Sequence, residues 1–229
     1  MEALILAGGL GTRLSKVVKD LPKPMAPVNG KPFLYYLFIW LKRYDVSSIV
    51  ISAGYKHETI IDYFGDSFYD IPVKYAVENK PMGTGGAVIN SLKYISSDNI
   101  LIINGDTWFP IDLNEFYSRH VRHNHIFTIA LKRMFDLSRY GSVKTEGHNI
   151  TGFIEKKTLR EGLINGGIYL VKRNFFKSVQ FADVFSLEKD LLVREAGNSI
   201  LKGIIFDAPF IDIGVPEDYT RAGTVVSDE

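Results

Sequence analysis

The sequence predicts an α/β protein built on a doubly wound, mostly parallel sheet, and three observations carry that expectation. Short apolar, β-branched runs recur at Leu4-Ile5-Leu6, Ile49-Val50-Ile51, 73–77 (interrupted by Lys74) and Ile100-Leu101-Ile102-Ile103. Strands apolar on both faces belong in a parallel sheet covered by helices. Helical segments at 33–44, 57–64 and 85–94 separate these runs, which is the alternation of a wound sheet. Polar and glycine residues then follow two of the strands directly, as Gly8-Gly9 and Asn104-Gly105-Asp106. In such sheets ligands bind at the carboxyl ends of the strands.

The elements follow in order. Segment 33–44 is strongly apolar, 57–64 is amphipathic, and 85–94 opens on glycines. The second half changes character: 141–144 and 150–155 read as hairpin strands joined by Glu146-Gly147-His148-Asn149. A further strand at 168–171 leads into a helix near Phe175. Ser186 is an expected N-cap for a helix over 187–196, with Glu188 placed well in its first turn. With no linker, repeat or low-complexity tract in between, this half is expected to form a β-rich lid on one sheet.

Size and composition narrow the function. A chain of 229 residues with 46% hydrophobic content suits one α/β domain with a substantial core. Twenty-seven basic residues against 26 acidic ones leave a net charge of +1, which argues against nucleic acid or an anionic membrane as partner. The absence of cysteine excludes disulfides, thiolate metal sites and a cysteine nucleophile. Residues 3–7 form the only apolar stretch at the N-terminus and are too short to cross a bilayer, so the cytoplasm is the expected location.

The most informative stretch is Leu6-Ala7-Gly8-Gly9-Leu10-Gly11-Thr12-Arg13-Leu14, directly behind the first strand. Its glycines allow a tight turn whose N–H groups can approach an anion. Arg13 adds a forked, permanent cation. Pro22-Lys23-Pro24 and Asn29-Gly30-Lys31-Pro32 bring two more cations on stiffened turns. A phosphate-rich ligand fits this loop. It is neither a P-loop, which needs Gly-Lys followed by Ser or Thr, nor a dinucleotide fingerprint, whose third glycine would stand where Leu14 does.

Asp106 and Asp212, each set among apolar residues at an expected strand tip, are hard oxygen ligands of the kind Mg²⁺ prefers. The cluster Glu78-Asn79-Lys80-Pro81-Met82-Gly83-Thr84-Gly85-Gly86 reads first as a helix-start loop, and its backbone could also approach a planar base. Glu155 could accept bonds from sugar hydroxyls while Lys156 meets a phosphate, although a charged strand end is the ordinary reading of that pair. His120, His123 and His125 do not share a helical face and have no Cys partners, so a solvated helix end is expected there rather than zinc.

The N-terminal motif with Pro22-Lys23-Pro24-Met25 resembles the signature of the sugar-phosphate nucleotidylyltransferases. Gly83-Thr84-Gly85-Gly86-Ala87, Asn104-Gly105-Asp106, Phe153-x-Glu155-Lys156, Asn165-Gly166-Gly167-Ile168-Tyr169 and Asp212-Ile213-Gly214-x-Pro216 continue the resemblance over nearly the whole chain. Because the chain ends soon after Asp212, it is expected to lack the β-helix tail of many relatives. Within the family, its compact form is most similar to the heptose 1-phosphate guanylyltransferases, with uridylyltransferases for N-acetylmuramate 1-phosphate close behind. Mannose 1-phosphate guanylyltransferases and a non-catalytic sensing or assembly subunit stay open as alternatives. Retention of Arg13, Lys23 and Asp106 favours an enzyme.

The resemblance implies a Rossmann-like nucleotidyltransferase fold in one domain, with residues 1–135 forming a nucleotide-binding half and 136–229 a sugar-binding half. It implies a nucleoside triphosphate, GTP by preference, and a sugar 1-phosphate as substrates and Mg²⁺ as cofactor, with a homodimer left open. Leu6, Ala7, Gly8, Gly9, Gly11, Thr12 and Arg13 would hold the nucleotide, with Glu78, Gly83 and Thr84 in the base-reading segment. Arg13 and Lys23 would be catalytic, Lys23 through charge at the α-phosphorus. Asp106 and Asp212 would hold the metal, Asp106 also facing substrate. Gly141, Glu155, Asn165 and Gly166 would face the sugar and Lys156 its phosphate.

Overall fold

A computed structural model describes residues 1–9, 14, 18, 20–155, 160–178 and 180–227. Its first half winds as the apolar runs require. Strands β1 (Glu2–Leu6), β2 (Pro27–Val28) and β3 (Lys31–Pro32) precede helix α1 (Phe33–Lys42). Then come β4 (Ser48–Ala53), α2 (His57–Phe64), β5 (Ser67–Phe68), β6 (Ile71–Val77), α3 (Gly83–Ser91) and β7 (Asn99–Asn104). The second half holds β8 (Thr107–Trp108), α4 (Leu113–Arg122), β9 (Phe127–Met134), β10 (Ser142–Glu146), β11 (Asn149–Ile154) and β12 (Gly162–Lys172). It continues with α5 (Phe175–Ser178), α6 (Val193–Glu195), β13 (Leu201–Phe206), β14 (Ile211–Asp212) and α7 (Pro216–Val225).

Ten strands form one sheet in the order β10-β11-β13-β9-β12-β7-β1-β4-β6-β5. The β6-β4-β1-β7 block is parallel throughout, as expected. Beyond it, β12 runs antiparallel to both β7 and β9, and the hairpin β10–β11 joins through β13. The β-rich second half therefore extends the same sheet.

Two apolar layers cover the sheet. Ala3 and Ile5 of β1 pack in the layer with Phe33, Leu37 and Trp40 of α1, Ile60 and Phe64 of α2, and Phe116 of α4. Leu4, facing the other way, packs with Val88 of α3 and with Leu187 and Leu191. That alternation is why the central strands are apolar at every position.

The expectation of a solvated helix end holds for His123, which is exposed at the C-cap of α4, and is corrected for His120. His120 is fully buried rather than solvated. Its Nε2 lies 3.2 Å from Asn99 Oδ1 and its Nδ1 2.7 Å from Thr128 Oγ1. An amide oxygen can only accept, so Nε2 carries the proton and Thr128 donates to Nδ1. His125 Nδ1 in turn lies 3.3 Å from Thr128 Oγ1. Burial, reinforced by His125 and Lys172, lowers the His120 pKa to about 4. Among the described residues no group of three or more His, Asp and Glu side chains is arranged to hold a metal. His120 is therefore a neutral, hydrogen-bonded core residue, while His123 is exposed at the end of α4.

Candidate active site

The chain runs outward from β1 through β4 to β6 and then returns to place β7 on the other side of β1. Ligand crevices open at such a switch of strand order. Leu6 and Asn104, the last residues of β1 and β7, lie directly opposite each other. Gly8-Gly9 and Gly105-Asp106 leave the sheet side by side, tied by the Gly105 N–H to the Leu6 carbonyl at 2.9 Å.

A cavity of about 460 Å³ sits there, lined by Gly8, Gly9, Glu78, Gly83, Thr84 and Asp106 among others. Leu6 also lines it, whereas the Ala7 side chain is buried and its N–H is bonded to the Ser52 carbonyl. Gly8 passes so close to Glu78 that a Cβ there would come within 2.3 Å of Oε1. Glu78 accepts bonds from Ser52 Oγ at 3.1 Å and from the Met82 N–H at 3.3 Å. Its carboxylate thus stands fixed at the cavity wall. Gly11, Thr12, Arg13 and Lys156 lie outside the described residues.

Lys23, Asp106 and Asp212 are brought together from three distant parts of the chain. Lys23 begins a short 3₁₀ turn between two prolines, and its side chain is mostly buried. The ribbon of β8 and β14 pairs Asp212 with Thr107 and carries the Ile213 N–H onto the Asp106 carbonyl at 3.0 Å. Lys23 Nζ donates to Asp106 Oδ2 and lies 3.5 Å from Asp212 Oδ1. Burial and the neighbouring Asp106 charge raise the Asp212 pKa, opposed by Lys23 and by the Gly214 N–H at 2.7 Å. Two carboxylates converging on one cation are a suitable partial shell for Mg²⁺, which takes one or two carboxylates and completes its sphere with water and substrate phosphate. Lys31 does not join them. It lies 5.4 Å over the Tyr35 ring and lines a separate cavity with Met25 and Tyr63.

A second cavity, of about 770 Å³, is lined by Tyr140, Gly141, Glu155, Asn165, Glu188 and Val193 among others. The pairing of β12 with β9 shifts register between Asn165 and Tyr169, so Asn165, paired with Leu131, is the last residue before the irregularity. Asn165 already spends its amide locally: Nδ2 donates to Tyr169 Oη at 2.9 Å and Oδ1 accepts from the Gly167 N–H at 2.9 Å. Gly166 packs against Phe109, where a Cβ would meet the ring at 2.5 Å.

The full-length fit settles the family. A model of the nucleotidyl transferase family matches residues 2–227. The chain belongs to the nucleotidyl transferase family. The chain is 44% identical to a D-glycero-α-D-manno-heptose 1-phosphate guanylyltransferase of Aneurinibacillus thermoaerophilus, covering 97% of this chain and 96% of that one. A protein of the same description from Campylobacter jejuni is 43% identical, covering 96% and 97%. The crystal structure of HddC from Yersinia pseudotuberculosis superposes with a TM-score of 0.87 at 38% identity, covering 97% of this chain and 98% of that one. HddC has also been solved complexed with GMP-PN.

Three groups around the candidate site were not expected from sequence. Tyr140 lines the second cavity, its hydroxyl 3.5 Å from Asp218, and burial beside Asp218 and Asp212 pushes its pKa up to about 12. Asp218 is buried and pairs with Arg139 at 2.6 Å and Arg221 at 3.5 Å. Glu188 lies in the first turn behind the Ser186 N-cap, as expected, and its carboxylate in addition accepts from Thr84 and Tyr169. The signal available in sequence was a carboxylate two residues behind an N-cap serine, which does not specify an inward direction.

Proposed function

We propose that the protein transfers GMP from GTP to D-glycero-D-manno-heptose 1-phosphate, releasing pyrophosphate and forming GDP-heptose. The observation that carries this reading is the convergence of Lys23, Asp106 and Asp212 beside the glycine-lined cavity. A phosphate oxygen of the sugar 1-phosphate is already an anionic nucleophile. It attacks the α-phosphorus of GTP, the bond to the bridging β-phosphate oxygen breaks, and that oxygen leaves with pyrophosphate. Such a displacement needs positioning and neutralised charge rather than a protein nucleophile. In this reading the domain is one unit, with residues 1–135 holding nucleotide and 136–229 holding sugar.

Asp106 and Asp212 would hold Mg²⁺, which offsets phosphate charge when bound. Lys23 would meet charge at the α-phosphate, and the Gly8-Gly9 backbone would follow the triphosphate. Glu78 suits guanine because an acceptor-only carboxylate matches that base's two adjacent N–H donors, whereas uracil offers one. Gly141, Glu155 and Asn165 line the cavity assigned to the sugar. The cytoplasm, where sugar phosphates and GTP are available, is the proposed location.

Pyrophosphate release measured with four nucleoside triphosphates against heptose, mannose and N-acetylmuramate 1-phosphates tests the assignment. GTP with heptose 1-phosphate is expected to be fastest, and excess chelator to abolish turnover. A missing partner for a buried hydroxyl costs about 1–3 kcal/mol, so mannose 1-phosphate should react roughly 5- to 150-fold less efficiently. Faster turnover with UTP, or equal turnover of mannose 1-phosphate, would overturn the corresponding half of the proposal.

A further inference from the structure

Glu188 joins the walls of both cavities. Its Oε2 accepts from Thr84 Oγ1 at 2.6 Å and from Ser186 Oγ at 3.1 Å, and its Oε1 accepts from Tyr169 Oη at 3.3 Å. Thr84 lines the glycine-side cavity, while Glu188 itself lines the larger one beside Asn165. The chain of bonds is directional. Asn165 Nδ2 donates to Tyr169 Oη, Tyr169 donates to Glu188, and Thr84 donates to Glu188 while accepting the Leu187 N–H at 2.8 Å. Tyr169 is wholly buried, and burial with the Glu188 charge raises its pKa well above the usual phenol value, so it remains a donor.

Two features argue that the carboxylate does more than hold a helix in place. Residues Leu187–Leu192 form a π-helical turn, a geometry that is rare and concentrates at functional sites. The Glu188 side of this turn packs on the start of α3, where the Gly85 N–H bonds to the Phe185 carbonyl at 3.0 Å and the Phe185 N–H to the Met82 carbonyl at 3.1 Å. The first turn of α3 is thus held both by the Phe185 backbone and, through Thr84, by Glu188.

We propose that Glu188 is a positioning residue that couples the two substrate cavities, so that a sugar 1-phosphate in the larger cavity favours nucleotide binding in the other. A sugar hydroxyl donating to Glu188 fixes the carboxylate orientation that also holds Thr84. The positioning of the first turn of α3 is then already met when nucleotide arrives. Coupling of this kind is reciprocal between the two ligands. The inference rests on the assignment of the cavities under Proposed function.

The test titrates the whole protein, with Mg²⁺, with a GTP analogue whose α,β-bridge is methylene and so cannot transfer. In the wild type, saturating heptose 1-phosphate is expected to tighten analogue binding by about 5- to 10-fold. Glu188→Ala should bind the analogue with that factor reduced nearly to one, and Glu188→Gln, which keeps one acceptor oxygen, should restore part of it. Thr84→Val removes the same bond from the nucleotide side and should also abolish the coupling, which covers the case in which Glu188→Ala does not fold. An unchanged coupling factor in folded Glu188→Ala or Thr84→Val overturns the inference. So does a wild type that turns over without any coupling. A wild type that releases no pyrophosphate overturns the reading of the cavities instead.

Discussion

At Lys23 a single cation answers two carboxylates, and its backbone is stiffened on both sides by proline. Pro22 and Pro24 fix φ, and the turn closes through the Met25 N–H to the Pro22 carbonyl at 2.8 Å and the Ala26 N–H to the Lys23 carbonyl at 3.0 Å. The ammonium is thus held by its two carboxylate partners on a backbone that is itself fixed. A preorganised charge is most effective where charge develops during reaction. Lys23→Ala is accordingly expected to lower kcat by about 10²–10³ with a much smaller change in the KM for GTP. Steady-state rates against varied GTP check this, and a loss confined to KM would mark Lys23 as an ordinary binding contact. Asp106, Asp212 and Lys23 were legible in sequence because proline brackets and strand-tip aspartates are local patterns. Glu188 and Tyr140 were not, because their roles depend on which wall a side chain faces after the sheet has closed.

At the scale of elements, the start of α3 shows why a glycine cluster can serve packing as well as ligand approach. Gly83 has φ of +72°, and a Cβ there would lie 2.4 Å from the Phe185 carbonyl oxygen. The neighbouring segment thus presses its backbone directly against this turn. Gly147, in the β10–β11 turn, has φ of +58° with open space around it. Comparing the two separates backbone strain from contact. Gly147→Ala carries only the left-handed cost of about 1–2 kcal/mol, while Gly83→Ala adds an unrelieved clash and should cost about 3–4 kcal/mol. Thermal unfolding should show the larger fall in Tm for Gly83→Ala, together with weaker nucleotide binding; equal falls would refute the packing argument. The unbroken apolar runs of β1, β4 and β7 made the parallel block readable. Strands β9 and β13 were harder, since Lys132, Arg133, Lys202 and Gly203 interrupt the apolar pattern and only pairing with their neighbours defines them.

At the scale of the whole molecule, the two ends of the sheet do different work. The candidate site lies at the carboxyl ends of β1 and β7, while buried ionisable groups that serve stability lie at the opposite end. Burial alone would raise the Glu2 pKa, but bonds from the Ser96 and Ser97 N–H groups and from Ser48 lower it to about 2. His120, held near the start of β7 by Asn99, is lowered to about 4 from 6.5. Both folded-state values lie below the unfolded ones, so the unfolded chain binds more protons in acid and stability falls with pH. The His120 contribution is complete above pH 6.5 and is lost as pH falls towards about 4, amounting to up to about 3 kcal/mol. The Glu2 contribution is lost over the lower window, from 4.5 down to about 2. Urea unfolding between pH 7.5 and 4 should therefore show a falling midpoint that begins near pH 6.5, before the carboxylates titrate. In His120→Asn the protein should be weaker at pH 7.5, yet its midpoint should fall less steeply between pH 6.5 and 4. Removing the imidazole removes the group whose protonation the fold resists. A variant with an unchanged slope would place the acid sensitivity elsewhere in the molecule.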